Sequence, residues 1–252
     1  MIPTNTVTYA ELSGISYRQA WDLQEALLTA NVRKKKGSPR GANPHDLPTQ
    51  HYLLFCEHSP VYTLGKSGSI DNLLLSEELL QARGIEFFRI NRGGDITYHG
   101  PGQITGYPIF DLDKFHTDIS WYLRGLEEAV IRLLATYGLV GDRSKGETGV
   151  WLDVGKPTAR KICAIGVRAS RWVTMHGFAF NVNTELQYFS NIIPCGITDK
   201  GVTSLAQELG HPLDMKEIRA QLKQHLAEEF NFQYGQDTTF ESLSEQFLPK
   251  VH

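Results

Sequence analysis

The 252-residue chain has a net charge of −3, with 41% apolar and 21% charged residues, the profile of a soluble globular protein of one large or two small domains. That balance argues against a general nucleic-acid binder, which presents a basic stripe, and no apolar run approaches the roughly 18 residues of a membrane span. Three scattered cysteines, Cys56, Cys163 and Cys195, make neither a CxxC pair nor a disulfide framework. No metal is therefore expected, and the reducing cytoplasm is the expected compartment.

The first residues lack a basic segment followed by an apolar one, so no secretory signal is expected. Ser16 to Lys36 has helical spacing at Trp21, Leu23, Ala26, Leu27 and Ala30, and it ends in Arg33-Lys34-Lys35-Lys36 before Gly37, a cationic last turn with a glycine stop. Two readings of that cluster stay open: a solvated helix end, or a docking patch for an acidic partner. Residues 37–49, with three prolines and two glycines, read as a surface loop. His51 to Glu57 reads as a buried strand with Cys56 as a small core residue, and His58 to Lys66 as a second strand, after a proline. Ser76 caps a short helix that Gly84 stops, and Ile85 to Ile90 is the next strand.

Arg92 to Gln103 follows, RGGDITYHGPGQ, with four glycines and one proline among its twelve residues. The composition reads as a loop rather than a regular central strand. It joins the strand at Ile85–Ile90 to another at Ile104–Phe110, and lets backbone approach a ligand closely. Asp118 to Tyr137 is the clearest amphipathic helix, with a stripe of Leu123, Leu126, Val130, Leu133 and Leu134. Strands are expected at Gly149–Asp153, Lys161–Arg168 and Trp172–Asn183, the last two joined by a hairpin at Ala169-Ser170-Arg171. Asn191 to Gly201 is irregular. Val202–Leu209 and Leu213–Phe230 read as helices, and the last twenty residues are weakly patterned. This uneven clustering of strands and helices favours an α+β class. One domain over residues 1–252 is expected, with a core from about 47 to 235, an N-terminal helix and a C-terminal appendage.

Cys195 lies in Pro194-Cys195-Gly196, a setting that presents a thiol on a shaped turn. A thiol with a pKa near 8.5 needs a neighbouring cation or base, and His99, His176 and Lys161 are the candidates. Lys161 opens the apolar run KICAIGV, where an amine loses charge more readily than in water. Residues i and i+2 of a strand share a face, so Lys161 could serve Cys163 instead.

These stretches together resemble the lipoyl(octanoyl) transferases of the biotin/lipoate ligase-like superfamily. The resemblance is carried by HSPVYTLGK at His58–Lys66, RGGDITYHGPGQ at Arg92–Gln103, GVW at Gly149–Trp151, KICAIGVR at Lys161–Arg168, HGFAFNVN at His176–Asn183 and NIIPCGI at Asn191–Ile197. It implies mixed, largely antiparallel sheets flanked by helices. It implies Cys195 as the acyl carrier and Lys161 as the partner that tunes it. Arg92, Gly93, Gly94, Asp95, Ile96, Thr97, Tyr98 and His99 would line the acyl site, with Ala164, Ile165, Gly166, Gly177, Phe178 and Ala179. The implied reaction moves octanoyl from octanoyl-acyl carrier protein to a lysine on lipoyl domains of 2-oxoacid dehydrogenase subunits or on the glycine-cleavage H protein, without a cofactor. Cys163 departs from the family, which more often has alanine there. The rival readings are an ATP-dependent lipoate or biotin ligase, an octanoyl or lipoyl amidotransferase, and a non-catalytic carrier-protein-binding module.

Overall fold

The computed structural model describes residues 5–39, 41–193 and 201–249. In chain order its strands and α-helices are β1 (Asn5–Leu12), α1 (Tyr17–Lys36), β2 (His51–Cys56), β3 (Val61–Leu64), α2 (Glu77–Ala82), β4 (Glu86–Arg89), β5 (Ile96–His99), β6 (Gln103–Ile109), α3 (Ile119–Thr136), β7 (Asp142–Ser144), β8 (Glu147–Leu152), β9 (Arg160–Ser170), β10 (Val173–Asn181), β11 (Gly201–Val202), α4 (Leu205–Leu209), α5 (Met215–Phe230), β12 (Phe232–Tyr234) and α6 (Phe240–Phe247). The large sheet runs β12-β1-β2-β6-β10-β9-β8-β7, with β11 paired to β9, and a small sheet runs β4-β3-β5. β1 pairs in parallel with β2 and β12, β11 with β9, and β3 with β4, while the other ladders are antiparallel. The architecture is the mixed, largely antiparallel one expected.

Helices cover both faces of the large sheet, and β2 records this in its composition. All six of its residues are buried. Leu53 and Phe55 join the core beneath α3 and α5, while Tyr52, Leu54 and Cys56 face the core beneath α1 and α6. A strand covered on both sides reads as a continuous apolar run, which is why HYLLFC is legible. Ser16 caps α1 through a reciprocal capping box with Gln19, which satisfies two otherwise orphaned N–H groups. Among the described residues no helix is long and apolar enough to cross a membrane.

Several expectations need correction. The glycine-rich stretch is not one loop, because Ile96–His99 forms β5 at the edge of the small sheet. An edge strand pairs on one side only, so glycine and proline at its ends are tolerated. The hairpin turn is Arg171-Trp172, both left-handed at φ 48° and 65°, and Ala169 and Ser170 stay within β9. A two-residue left-handed turn matches strand twist better than a three-residue joint. Val202 belongs to β11 rather than a helix, and Ser204 caps α4. The tail supplies β12 and α6, and β1, which gave no clear signal, is an inner strand of the large sheet.

The basic cluster also changes meaning. Lys35 is not a solvated cation: its Nζ donates to Asp111 Oδ1 at 2.5 Å, Asp113 Oδ2 at 2.6 Å and the Arg171 carbonyl at 2.7 Å. Asp111 is fully buried. The cation fastens the end of α1 to the start of β10, so the four residues do not act as one free docking patch.

Candidate active site

A cavity of about 670 Å³ opens where the two sheets meet, within the roughly 300–1,000 Å³ typical of small-molecule sites. One wall is the stretch Arg92–Asp95 with Ile96, Thr97 and His99. The floor comes from β6, β9 and β10. The β7–β8 turn contributes Gly146, the start of β8 contributes Glu147 and Thr148, and α3 contributes Ile119 and Leu123. A second hollow of about 680 Å³ between α5 and β12 contains none of the residues singled out in the sequence. There Lys223 Nζ already lies 3.5 Å from the centre of the Tyr9 ring.

Glycines let the wall dock on the floor. The Gly93 N–H donates to the Val167 carbonyl at 2.9 Å. A Cβ on Gly166 would lie 2.7 Å from the Gly93 carbonyl, a distance no side chain accepts. Arg92 is built into this wall. Its Nη2 donates to the Thr63 carbonyl at 2.7 Å and to Thr63 Oγ1 at 3.1 Å, so it buttresses the loop as it lines the cavity. Asp95 accepts from Asn72 Nδ2 at 2.5 Å, which anchors the loop to the segment ahead of α2.

Lys161 faces the cavity from β9. Its Nζ lies 4.6 Å from the centre of the Trp151 ring, a cation–π distance. Beneath it, Gly149 has φ +122°, and a Cβ there would fall 3.5 Å from Lys161 Cε and 2.5 Å from the Cys163 carbonyl. The Gly149 N–H donates to Glu127 Oε1 at 2.9 Å. Glu127 is fully buried and is matched by Arg124 at 2.5 Å and Arg143 at 3.0 Å.

The register between β8 and β9 sets Lys161 and Cys163 in different surroundings. Val150 pairs with Cys163 and Trp151 with Lys161, leaving Ile162 as an extra residue on β9. Such a bulge re-aims side chains and breaks simple alternation. Ile162 and Cys163 are fully buried and join the core, whereas Lys161 lines the cavity. Burial, with the Glu127 charge as a smaller cause and the Lys161 charge opposing, pushes the Cys163 thiol well up, so it is a poor nucleophile at neutral pH.

Both candidate histidines are held toward the neutral form. Burial holds His99 down at about 4, partly offset by its bond to Gln103. His176 is lowered to about 3 by burial and then by the Arg92 and Arg168 charges. Gln103 Nε2 donates to the Tyr98 carbonyl at 3.1 Å and to Asn181 Oδ1 at 2.9 Å, so Gln103 Oε1 accepts from His99 Nδ1 at 2.8 Å. That assigns the proton of His99 to Nδ1. His176 sits at φ +57°, held by Gln24 Oε1 on its backbone N–H at 3.0 Å and by Asn91 Oδ1 on its ring at 2.8 Å. Neither ring supplies a cation at neutral pH, which leaves Lys161 as the cation candidate of the three.

Of the fourteen residues expected to line the site, thirteen meet at this cavity. Tyr98 does not: it turns into the small sheet's own core, where its ring stacks on Tyr188 at 4.7 Å. Strand alternation within β5 accounts for the exclusion. Cys195 lies outside the described residues. The described chain stops at Ile193, whose N–H donates to the Asn72 carbonyl at 2.9 Å, and resumes at Gly201, whose N–H donates to the Ala159 carbonyl at 3.0 Å. Gly201 and Val202 pair with Arg160 and Lys161. Sequence reasoning missed Tyr17, Ile119 and Leu123, which arrive on helices distant in sequence. It also passed over Gln103 and Asn181, which sit inside the very motifs it quoted.

The family described as "Lipoyl protein ligase A/B catalytic domain" matches residues 16–227. An octanoyltransferase of Flavobacterium johnsoniae is 60% identical over 221 residues, covering 87% of this chain and 94% of that protein. An octanoyltransferase of Christiangramia forsetii is 60% identical over 215 residues, covering 85% and 91%. Among solved structures, a bi-partite lipoate protein ligase from Thermoplasma acidophilum superposes with a TM-score of 0.70 at 19% identity, covering 96% of this chain and 91% of that one. At that identity the likeness is one of fold.

Proposed function

The chain belongs to the octanoyltransferase family, within the lipoyl protein ligase A/B catalytic domain family, and from that premise we propose that it passes octanoyl from an octanoyl-acyl carrier protein to a lysine of a lipoyl domain through a thioester on Cys195. The acceptors are lipoyl domains of 2-oxoacid dehydrogenase subunits and the glycine-cleavage H protein. The observation that carries this reading is the place of Lys161. It lines the same cavity as the Arg92–Asp95 wall and the Gly177–Ala179 floor, beside the strand by which the chain returns from Cys195.

In the first half-reaction the Cys195 proton passes to the Lys161 amine and the sulfur attacks the donor's thioester carbonyl. The bond from that carbonyl to the carrier sulfur breaks, and the carrier thiolate takes the proton. In the second, the acceptor's lysine amine attacks octanoyl-Cys195. The carbon–sulfur bond breaks, an amide forms, and the amine's proton moves through Lys161 to the Cys195 sulfur. Thioester exchange is nearly isoenergetic and amide formation runs downhill, so no ATP is required. Ile165, Phe178, Ile119 and Leu123 supply apolar lining. At about 0.8 kcal/mol per methylene, an octanoyl chain gains roughly 5 kcal/mol there before ordering costs.

Intact-protein mass spectrometry after mixing with octanoyl-acyl carrier protein, followed by peptide mapping, tests the reading. Octanoyl is expected on Cys195 and not on Cys163, and Cys195→Ser is expected to abolish both the adduct and turnover. Octanoyl mapped to Cys163, near-normal turnover in Cys195→Ser, or adenylate formed from free octanoate and ATP would each overturn it.

A further inference from the structure

Every polar group of Thr203 is engaged in the framework around the cavity. The residue is fully buried. Its N–H donates to the Lys161 carbonyl at 3.0 Å, its hydroxyl donates to Glu208 Oε1 at 2.5 Å, and its carbonyl accepts from Asn181 Nδ2 at 3.0 Å.

Each contact leads into a larger array. Glu208 receives the Arg160 guanidinium as a fork, Nε at 2.6 Å and Nη2 at 2.5 Å, while Arg160 Nη1 reaches Asp153 Oδ2 at 2.5 Å. Two parallel charge-assisted bonds fix direction as well as distance, and Arg160 directly precedes Lys161. On the other side, Asn181 accepts from Gln103, and Gln103 accepts from His99. Asn181, Gln103 and His99 all line the cavity. One buried residue thus joins the backbone of Lys161 to an anchored ion pair and to the polar floor.

We propose that Thr203 is the positioning residue that sets the Lys161 amine against the cavity floor, by tying the Lys161 backbone to the Glu208–Arg160 fork and to the Asn181–Gln103–His99 row. This inference rests on the reading of Cys195 and Lys161 as the reacting pair. Lys161 pairs with Trp151 and Val202 beside the bulge at Ile162, and the Thr203 bonds add a side-chain anchor to that ladder. Removing the hydroxyl leaves Glu208 tied to Arg160 alone and frees Thr203 to shift, and Lys161 shifts with it.

Thr203→Val removes the hydroxyl and keeps shape, N–H and carbonyl, whereas Thr203→Ser keeps the hydroxyl. The full chain is assayed with octanoyl-acyl carrier protein and a lipoyl domain. The pH dependence of Cys195 alkylation by iodoacetamide is followed by peptide mapping. For Thr203→Val, kcat is expected to fall roughly 10- to 100-fold, since about 1 Å of misplacement suffices for such losses, with the donor KM within about twofold. The alkylation midpoint is expected to move to higher pH, because a thiolate with a displaced ammonium is harder to form. Thr203→Ser is expected to restore both. Wild-type kcat and midpoint in Thr203→Val, or equal impairment in Thr203→Ser, overturns the inference. Should Thr203→Val fail to fold, Glu208→Gln, which removes the charge that holds the fork, is judged by the same two readouts. Absence of octanoyl-Cys195 in the wild-type protein brings down the underlying reading and this inference together. Its presence alongside an unaffected Thr203→Val brings down this inference alone.

Discussion

The stem of Lys161 lies over a glycine and its head over an indole. The ring faces the ammonium at a cation–π distance. The proposed role asks this residue to take up and release a proton, which arginine does not do at neutral pH. Lys161→Arg is therefore expected to lower octanoyl transfer about 10²-fold or more, the usual scale of a lost acid–base group, while Cys195 stays open to alkylation because the positive charge remains. Steady-state transfer measured beside the alkylation rate checks this, and equal turnover would reduce Lys161 to a fixed charge. The residues proposed to carry the chemistry, Cys195 and Lys161, stood out in the sequence through motifs shared with the family, Pro-Cys-Gly and KICAIGV, more than through any local pattern. Thr203, Gln103 and Asn181 did not, since threonine and amides are common and only their buried partners make them special.

At the scale of elements, the bulge at Ile162 decides which of two residues two apart faces the cavity. No local pattern in KICAIGV announces it. The signal sits on the neighbouring strand, where Gly149 adopts a φ open to glycine and crosses the Cys163 carbonyl. Gly149→Ala places a Cβ 2.5 Å from that carbonyl and forces a strained backbone. A loss of about 2–4 kcal/mol in unfolding free energy is expected, with activity falling further than stability because Lys161 Cε lies against the same position. Urea denaturation and kcat on one preparation separate the two effects, and an alanine variant with unchanged stability would refute the bulge account. The helices α1, α3 and α5 were read nearly to the residue because their apolar stripes and Ser16, Asp118 and Asp214 caps are local. β5 and β11 were lost because short edge strands owe their existence to a partner.

For the molecule as a whole, the four buried histidines among the described residues oppose acid. Burial holds His51 and His58 at about 3, with nearby lysines and His99 as lesser causes, and His99 and His176 at about 4 and 3. In the unfolded chain each titrates near 6.5. Between those values the unfolded state binds more protons, so stability is complete above about pH 6.5 and declines as pH falls toward 4. The slope is about 1.4 kcal/mol per pH unit for each histidine. The urea midpoint is thus expected to drop steadily from pH 7 to pH 5, and a flat midpoint over that range would show that these rings are charged in the native protein. The fold class was legible because the two-sided covering of the large sheet writes itself into runs such as HYLLFC. The position of the first strand was not.

That strand has a temporal consequence. β1 lies between β2 and β12, and its outer partner, Phe232–Tyr234, comes from the far end of the described chain. Asn5–Leu12 is synthesised long before Phe232–Tyr234, so the backbone groups on its outward side wait for their partners while most of the described chain is made. Until then the nascent polypeptide presents an open ladder, the kind of template that recruits stray strands. Closure of this margin cannot precede the synthesis of Phe232–Tyr234.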